Sequence, residues 1–179
     1  MQKRIKILLT LLLMILTLAI SCSSPNDPTE NPNIPPDNEW VNNPNFTTLK
    51  QKWQDNDTSF GITQYIITDN KFDNLYDNTV SYSFDIKYIS WVSETAGIIY
   101  GQYTVNDDNS VIGKWYAVSF KDLTATTIKI CGASKQIGTD PNTEWGIYDF
   151  SAENLKEAIS KFTEANGYFS YYSDCTSVK

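Results

Sequence analysis

The chain has 179 residues, with 14 Lys and Arg against 21 Asp and Glu and no histidine, for a net charge of −7. An acidic chain is repelled by phosphate backbones and anionic lipid headgroups, which excludes nucleic acid as a partner. The missing histidine removes the usual general base at neutral pH, every triad built on imidazole, and the commonest zinc ligand.

The chain opens with a basic stretch containing Lys3, Arg4 and Lys6. An apolar run from Ile7 to Ile20 follows, broken only by Thr10 and Thr17. Such a run spans roughly 21 Å as a helix, short of the ~30 Å hydrocarbon core. A basic start, a short apolar centre and small residues after it form the pattern of an export signal, expected over 1–21. Leu18-Ala19-Ile20-Ser21-Cys22 resembles the lipobox of bacterial lipoproteins of the spirochaete type, with Ala19 where a larger aliphatic residue is usual. The resemblance implies cleavage before Cys22 and acylation of its thiol. More than one acyl chain anchors a protein stably, so the membrane would be a partner through Cys22. Ser23, in place of the aspartate that often marks inner-membrane retention in the family, leans toward the outer membrane.

Residues 22–45 hold six of the seven prolines and little to bury. Such a segment cannot offset its ordering entropy and reads as an extended tether reaching at most roughly 70 Å. The mature chain, without Lys3, Arg4 and Lys6, carries 11 basic and 21 acidic residues, a net charge of −10. Residues 46–179 form one domain of ordinary size.

Along that domain, a short helix is expected around Phe46–Gln54. A β-rich run with Phe60, Ile62, Tyr65 and Ile66 then ends at Thr68-Asp69-Asn70, and Asp69, Asp73 and Asp77 read as turn residues. The clearest strand starts at Ser81: Tyr82, Phe84, Ile86 and Tyr88 alternate with Ser83, Asp85 and Lys87. The apolar phase then shifts to Ile89 and Trp91, as a β-bulge would make it. Strands over 98–105, 115–120 and 126–131 continue an antiparallel meander, and 132–143 reads as a loop. A helix capped by Asp149 or Ser151 carries the stripe Leu155, Ala158, Ile159 and Phe162, and Asn166-Gly167 stops it. A last strand runs over 168–173. The class is α+β, mostly β: an open sheet or partial barrel with one C-terminal helix packed on it and a final strand.

Cys131 and Cys175 remain once Cys22 is acylated, and an oxidising compartment favours a disulfide between them. Closing that loop would contribute roughly 4 kcal/mol in the chain-entropy model. If their strands are neighbours, the bridge makes them parallel, joined by a right-handed crossover through the helix. The segments Gly113-Lys114-Trp115-Tyr116-Ala117-Val118, Lys121-Asp122-Leu123, Gly132-Ala133, Phe162-Thr163 and Gly167-Tyr168-Phe169 resemble a module of unassigned activity in spirochaete-type lipoproteins.

Glu144, Asp149 and Glu153 are carboxylates near one junction, but capping and solvation explain them without catalysis, and the chain is read as no enzyme. Asp55-Asn56-Asp57-Thr58-Ser59-Phe60-Gly61 begins like a calcium loop yet places Phe60 and Ile66 where an EF-hand needs glycine and glutamate. Neither metal nor cofactor is expected. The ligand candidates are aromatic: Trp91, Trp115, Trp145, Tyr100, Tyr103 and Tyr116. Two roles fit them: an envelope interaction module for a protein or glycan, or a small-molecule binder with a barrel cup resembling lipocalins in outline. Gly113-Lys114-Trp115 spells the lipocalin glycine–any–tryptophan signature, although mid-domain rather than in the first strand.

Overall fold

A computed structural model describes residues 39–178. The signal segment 1–21, Cys22 and the tether up to residue 38 lie outside the described residues. The segment expected as tether up to residue 45 is folded at its C-terminal end. Glu39–Asn42 form a 3₁₀ turn, and Trp40 is only 6% exposed, with its ring edge-on to Phe46 at 4.9 Å. The folded unit therefore takes in residues 39–45, because one large ring buries enough surface to hold that segment down.

The strands are β1 (Lys52–Asp55), β2 (Thr63–Ile67), β3 (Lys71–Tyr76), β4 (Thr79–Ser93), β5 (Ala96–Asn106), β6 (Trp115–Lys121), β7 (Thr127–Gly132), β8 (Lys135–Thr139), β9 (Gly146–Asp149) and β10 (Ser173–Ser177). The helices are α1 (Phe46–Leu49) and α2 (Leu155–Lys161). Strands β1 to β7 form an antiparallel meander, and β10 pairs with both β7 and β1. Eight strands thus close a barrel, while β8 and β9 make a separate two-stranded sheet. The mostly-β reading holds, and the open-sheet option gives way to full closure.

Several local rules are visible. The β3–β4 hairpin turns on Asp77 and Asn78, both at positive φ (47° and 66°), as a two-residue type I′ turn requires. Asp77 is a turn residue as expected, whereas Asp73 lies within β3 and pairs with Lys71 at 3.1 Å. The phase change after Lys87 is a register shift between Ile86 and Tyr88, which turns Ile89 and Trp91 back to the inner face. Helix α1 stops at Leu49 rather than Gln54, since Lys52–Asp55 is recruited as the strand that closes the barrel. Helix α2 is capped by Asn154, whose Oδ1 accepts the Glu157 N–H at 2.9 Å, not by Asp149 or Ser151. Its Leu155, Ala158 and Phe162 are buried as the stripe anticipates. Residues 132–143 are not all loop, because β8 lies among them. The last strand begins at Ser173, five residues later than the aromatic run suggests.

The strand register keeps Cys131 and Cys175 apart. Strand β10 pairs with β7 antiparallel, with Cys175 opposite Ile128 and Ser173 opposite Ile130. Cys131 is thus three positions from Cys175 along the ladder, roughly 10 Å at the usual strand rise. An odd offset also places the two side chains on opposite faces, so no disulfide can span them. Both are buried free thiols. The parallel neighbour and its right-handed crossover fall with the bridge.

Rings fill the barrel. Phe72 stacks on Phe84 at 4.8 Å, Phe84 meets Tyr116 edge-on at 5.8 Å, and Tyr103 stacks on Tyr116 at 4.7 Å. Trp53, Phe72, Phe84, Ile99 and Phe120 have essentially no accessible surface. Glycines make room for these rings. A side chain at Gly101 would run into Phe84 and the Asp85 carbonyl, and one at Gly97 would meet Phe120. At one end of the barrel sits the plug formed by the 3₁₀ turn and α1, where Trp53 Nε1 donates to the Leu49 carbonyl at 3.0 Å. At the other end, Phe162 meets Tyr116 edge-on at 6.5 Å.

Candidate functional site

The six aromatic candidates do not form one site. Tyr103 and Tyr116 belong to the barrel filling, with Tyr82 edge-on to both. Burial pushes the hydroxyls of Tyr82, Tyr103 and Tyr116 above the usual phenol range, so they stay protonated. Trp91 also points inward but lies near the plugged end, 5.1 Å from Phe120 and half-buried. Tyr100 and Trp115 face outward by strand alternation. Tyr100 stacks on Tyr88 at 5.9 Å, and Trp115 exchanges both backbone hydrogen bonds with Ala152 (2.8 and 2.9 Å). Trp145 stands apart and is 77% exposed.

Trp145 belongs to the feature that sequence reading missed, the β8–β9 hairpin. Ile137 (62% exposed) occupies the irregular position between Gln136 and Gly138, while Ile147 faces Gly138 and Tyr148 is paired with Gln136. With Trp145 they expose four large apolar side chains on one short element, Ile147 and Tyr148 on its opposite faces by strand alternation. Tyr148 lies over Gly146, where a side chain would meet its ring. Gly138 and Gly146, spaced between apolar residues, were the available signal.

The hairpin is held firmly at both ends. At its tip, Asp140 N–H donates to the Trp145 carbonyl at 2.8 Å, and the Asp140 carboxylate accepts the Asn142 N–H at 2.8 Å. That bond keeps the Asp140 carboxyl below its usual pKa. At its base, Asp149 accepts from Lys161 Nζ at 2.7 Å and from the Tyr168 hydroxyl at 2.6 Å. Burial opposes the Asp149 charge, but these two hydrogen bonds outweigh it, and the carboxyl titrates low. Lys161 also donates to the Ser151 carbonyl at 2.6 Å. The arrangement ties the hairpin to α2 and the barrel end.

The other carboxylates are dispersed. Asp149 is held ionised by Lys161 and Tyr168, Glu153 pairs with Lys114 at 2.9 Å, and Glu144 lies exposed in the hairpin turn. In the calcium-like stretch, Asp55 and Asp57 each accept a backbone N–H two residues on, at 3.0 Å, which makes them local turn-formers. Among the described residues no cluster of three acidic or thiol side chains is placed to hold a metal ion.

Among the described residues several grooves indent the surface near the barrel ends. One, of about 550 Å³, is polar and lined by Asp55, Asn56, Asp57 and the Tyr171–Asp174 stretch. A second, about 340 Å³ and largely apolar, lies between Val92, Phe120 and Tyr172. Tyr172 is fixed there by Lys121, whose ammonium stands 3.6 Å over its ring, and by its own hydroxyl donating to Glu164 at 2.6 Å. A third, about 340 Å³, opens where the 3₁₀ turn meets β4 and contains Trp91. No protein-family model, curated protein or solved structure matches the chain.

Proposed function

We propose that this is a lipid-anchored envelope protein acting as a non-catalytic binding module, with the β8–β9 hairpin as its docking face for a partner protein. The observation that carries the reading is the hairpin's exposed Ile137, Trp145, Ile147 and Tyr148 on an otherwise closed, filled barrel. Aromatic side chains on a rigid element are the composition of interaction hot spots, because they remove much surface from water for little conformational entropy. Among the described residues, each strand of the two-stranded sheet also keeps one edge without a strand partner. A partner strand can add there through main-chain hydrogen bonds. The anchor rests on the sequence: the short apolar leader and Cys22 in a relaxed lipobox.

The lipocalin-like cup is the alternative, and one observation favours it: eight antiparallel strands close on themselves with a fully buried tryptophan, Trp53, in the first. That strand reads Lys52-Trp53 after Gln51, without the signature's glycine. The aromatic filling leaves the cup reading the weaker of the two.

The test is the full-length chain in its producing bacterium, with Trp145→Ala and Tyr148→Ala combined. The wild type is expected to give a discrete higher-mass adduct after brief formaldehyde treatment, and the double variant to lose it while keeping its circular dichroism. An adduct that survives the double substitution overturns the hairpin reading. Acyl mass missing from the mature N-terminus overturns the anchor.

A further inference from the structure

The barrel end that carries the β8–β9 hairpin holds negative charge that the protein itself does not neutralise. Strand alternation sends the β1–β2, β3–β4 and β5–β6 connections to the same end as the hairpin, which leaves from β7. Those connections hold Asp57, Asp77, Asp107 and Asp108, and the hairpin turn holds Asp140 and Glu144. Among the described residues, none of these has a lysine within ion-pair distance. The lysines of that end are engaged elsewhere: Lys114 with Glu153 at 2.9 Å, Lys161 with Asp149 at 2.7 Å, and Lys135 over the Tyr168 ring at 5.8 Å, which leaves Lys156. The plugged end is balanced. In its connections Asp69 meets Lys50 at 2.6 Å and Asp122 meets Lys129 at 3.2 Å, so only Glu94 there lacks a lysine.

Uncompensated charge around exposed apolar side chains restricts what can dock. Like charges across an interface repel, while opposite charges steer the encounter and set its register. A second copy of this acidic chain, joined hairpin to hairpin, brings the same carboxylates to the contact. The chain's own residues 23–38 include Asp27, Glu30 and Asp37 and no lysine or arginine. Anionic lipid headgroups meet the same repulsion. A basic protein segment is the complementary occupant. Hydrogen bonds from Ser59, Ser110 and Asn142 hold Asp57, Asp108 and Asp140 below the usual carboxylate range, which keeps that end charged in mildly acidic conditions.

The hairpin also restricts the shape of that segment. A free strand edge accepts extended chain through main-chain hydrogen bonds. Strand β8 is the more open of the two: Lys135, Gln136, Ile137 and Thr139 are exposed, whereas β9 ends in Asp149, fixed to Lys161 and Tyr168. Asp140 directly follows β8, and Glu144 lies in the same turn, so both carboxylates stand at the tip of that edge. Resting on the hairpin as the docking face, we infer that it takes a cationic extended segment of its partner, which adds as a strand along β8 and meets Asp140 and Glu144 with lysine or arginine side chains.

The experiment uses the full-length chain in non-ionic dodecyl maltoside micelles. The probe is an eight-residue peptide alternating lysine and valine; serine or glutamate replaces lysine in two comparison peptides. Affinity is read from the anisotropy of a dye on the peptide, and position from the amide resonances of the chain. The lysine peptide is expected to bind at least tenfold more tightly than the serine peptide, and the glutamate peptide not at all. Its shifts should centre on β8, and raising salt from about 50 to 300 mM should weaken it at least threefold through screening. Asp140→Asn with Glu144→Gln removes both charges while an amide oxygen can still accept from Asn142. This pair should weaken the lysine peptide at least fivefold and leave the serine peptide unchanged, and Glu94→Gln should alter neither. Equal affinity for the lysine and serine peptides, lost in Trp145→Ala with Tyr148→Ala, would overturn the cationic segment and leave the hairpin reading standing. A lysine peptide that does not bind, shifts residues away from β8, or keeps its affinity in Asp140→Asn with Glu144→Gln would also overturn it. Failure of the hairpin reading itself shows separately, in the formaldehyde adduct.

Discussion

Replacing Phe84 by alanine asks directly whether the barrel is filled. The ring has no accessible surface, stacks on Phe72 at 4.8 Å and meets Tyr116 edge-on at 5.8 Å. It also covers Gly101, so the wall across from it has no side chain that could move in to compensate. A buried Phe→Ala change costs about 3–5 kcal/mol, and a site that cannot collapse belongs at the upper end. Loss of two aromatic pairs adds to this at about 0.5–1.5 kcal/mol each beyond area. A loss of about 4–5 kcal/mol is a large share of the ~5–15 kcal/mol that holds a domain together. At a urea slope of about 2 kcal/mol/M, the midpoint should fall by roughly 2 M. The assay is urea unfolding followed by near-ultraviolet circular dichroism, with the slope checked against wild type. Benzene should restore part of the loss by entering the vacated space. A drop under about 1 kcal/mol at unchanged slope would refute the reasoning, since rings bordering an existing cavity are cheap to remove.

Further outcomes follow from particular groups. Gly101→Val places branched carbon against Phe84 and the Asp85 carbonyl and should cost about 1–3 kcal/mol of overpacking strain, which lowers the urea midpoint by roughly 0.5–1.5 M; an unchanged midpoint contradicts the close approach. Burial pushes Tyr65, Tyr100 and Cys175 up to about 12, above their unfolded values. The folded state therefore holds protons that the unfolded chain releases: their stabilisation is complete below about pH 9 and is lost as pH rises toward 12. Urea midpoints should be level from pH 6 to 8 and fall steadily above about pH 9; stability level to pH 11 contradicts the burial. Cys131 and Cys175 should titrate with Ellman's reagent only after unfolding, and the native chain should show no disulfide mass deficit even after air oxidation. Lys161→Met removes the cation that spans Asp149 and Ser151 and should loosen the hairpin base, read as faster amide exchange in β9 with β4 and β5 unchanged.

The central sheet was legible because its strands obey a period of two with apolar residues facing in. The bulge at Lys87 showed as a phase slip, and the chain turns where Ser93-Glu94-Thr95 and Asn106–Asn109 interrupt it. The closing strands were not legible. Lys52–Asp55 is four residues long and follows a helical turn, and Ser173–Ser177 carries one apolar side chain. In β3, Asp73 and Asn74 look like turn residues, yet they are accommodated by pairing: Asp73 meets Lys71 and the Ser83 hydroxyl, and Asn74 sits opposite Tyr65. The disulfide expectation failed because facing depends on register, which spacing of 44 positions along the chain does not reveal. Of the candidate aromatics, Trp91 lines a groove and Trp145 stands exposed. The others serve the fold, because aromatic content alone does not distinguish a barrel's filling from its exterior. Trp40 was hidden among prolines, although a lone tryptophan in such a stretch is itself a sign of anchoring.

The most direct measurement is hydroxyl-radical footprinting of the same chain purified and in intact producing cells. Purified, Trp145, Tyr148 and Ile137 should all be oxidised readily, with Tyr171, 92% exposed, as the internal reference. In cells, the three hairpin residues are expected to be protected severalfold while Tyr171 stays reactive. Equal reactivity of the hairpin in both settings, or protection spread evenly over the surface, would contradict a module that docks through its hairpin.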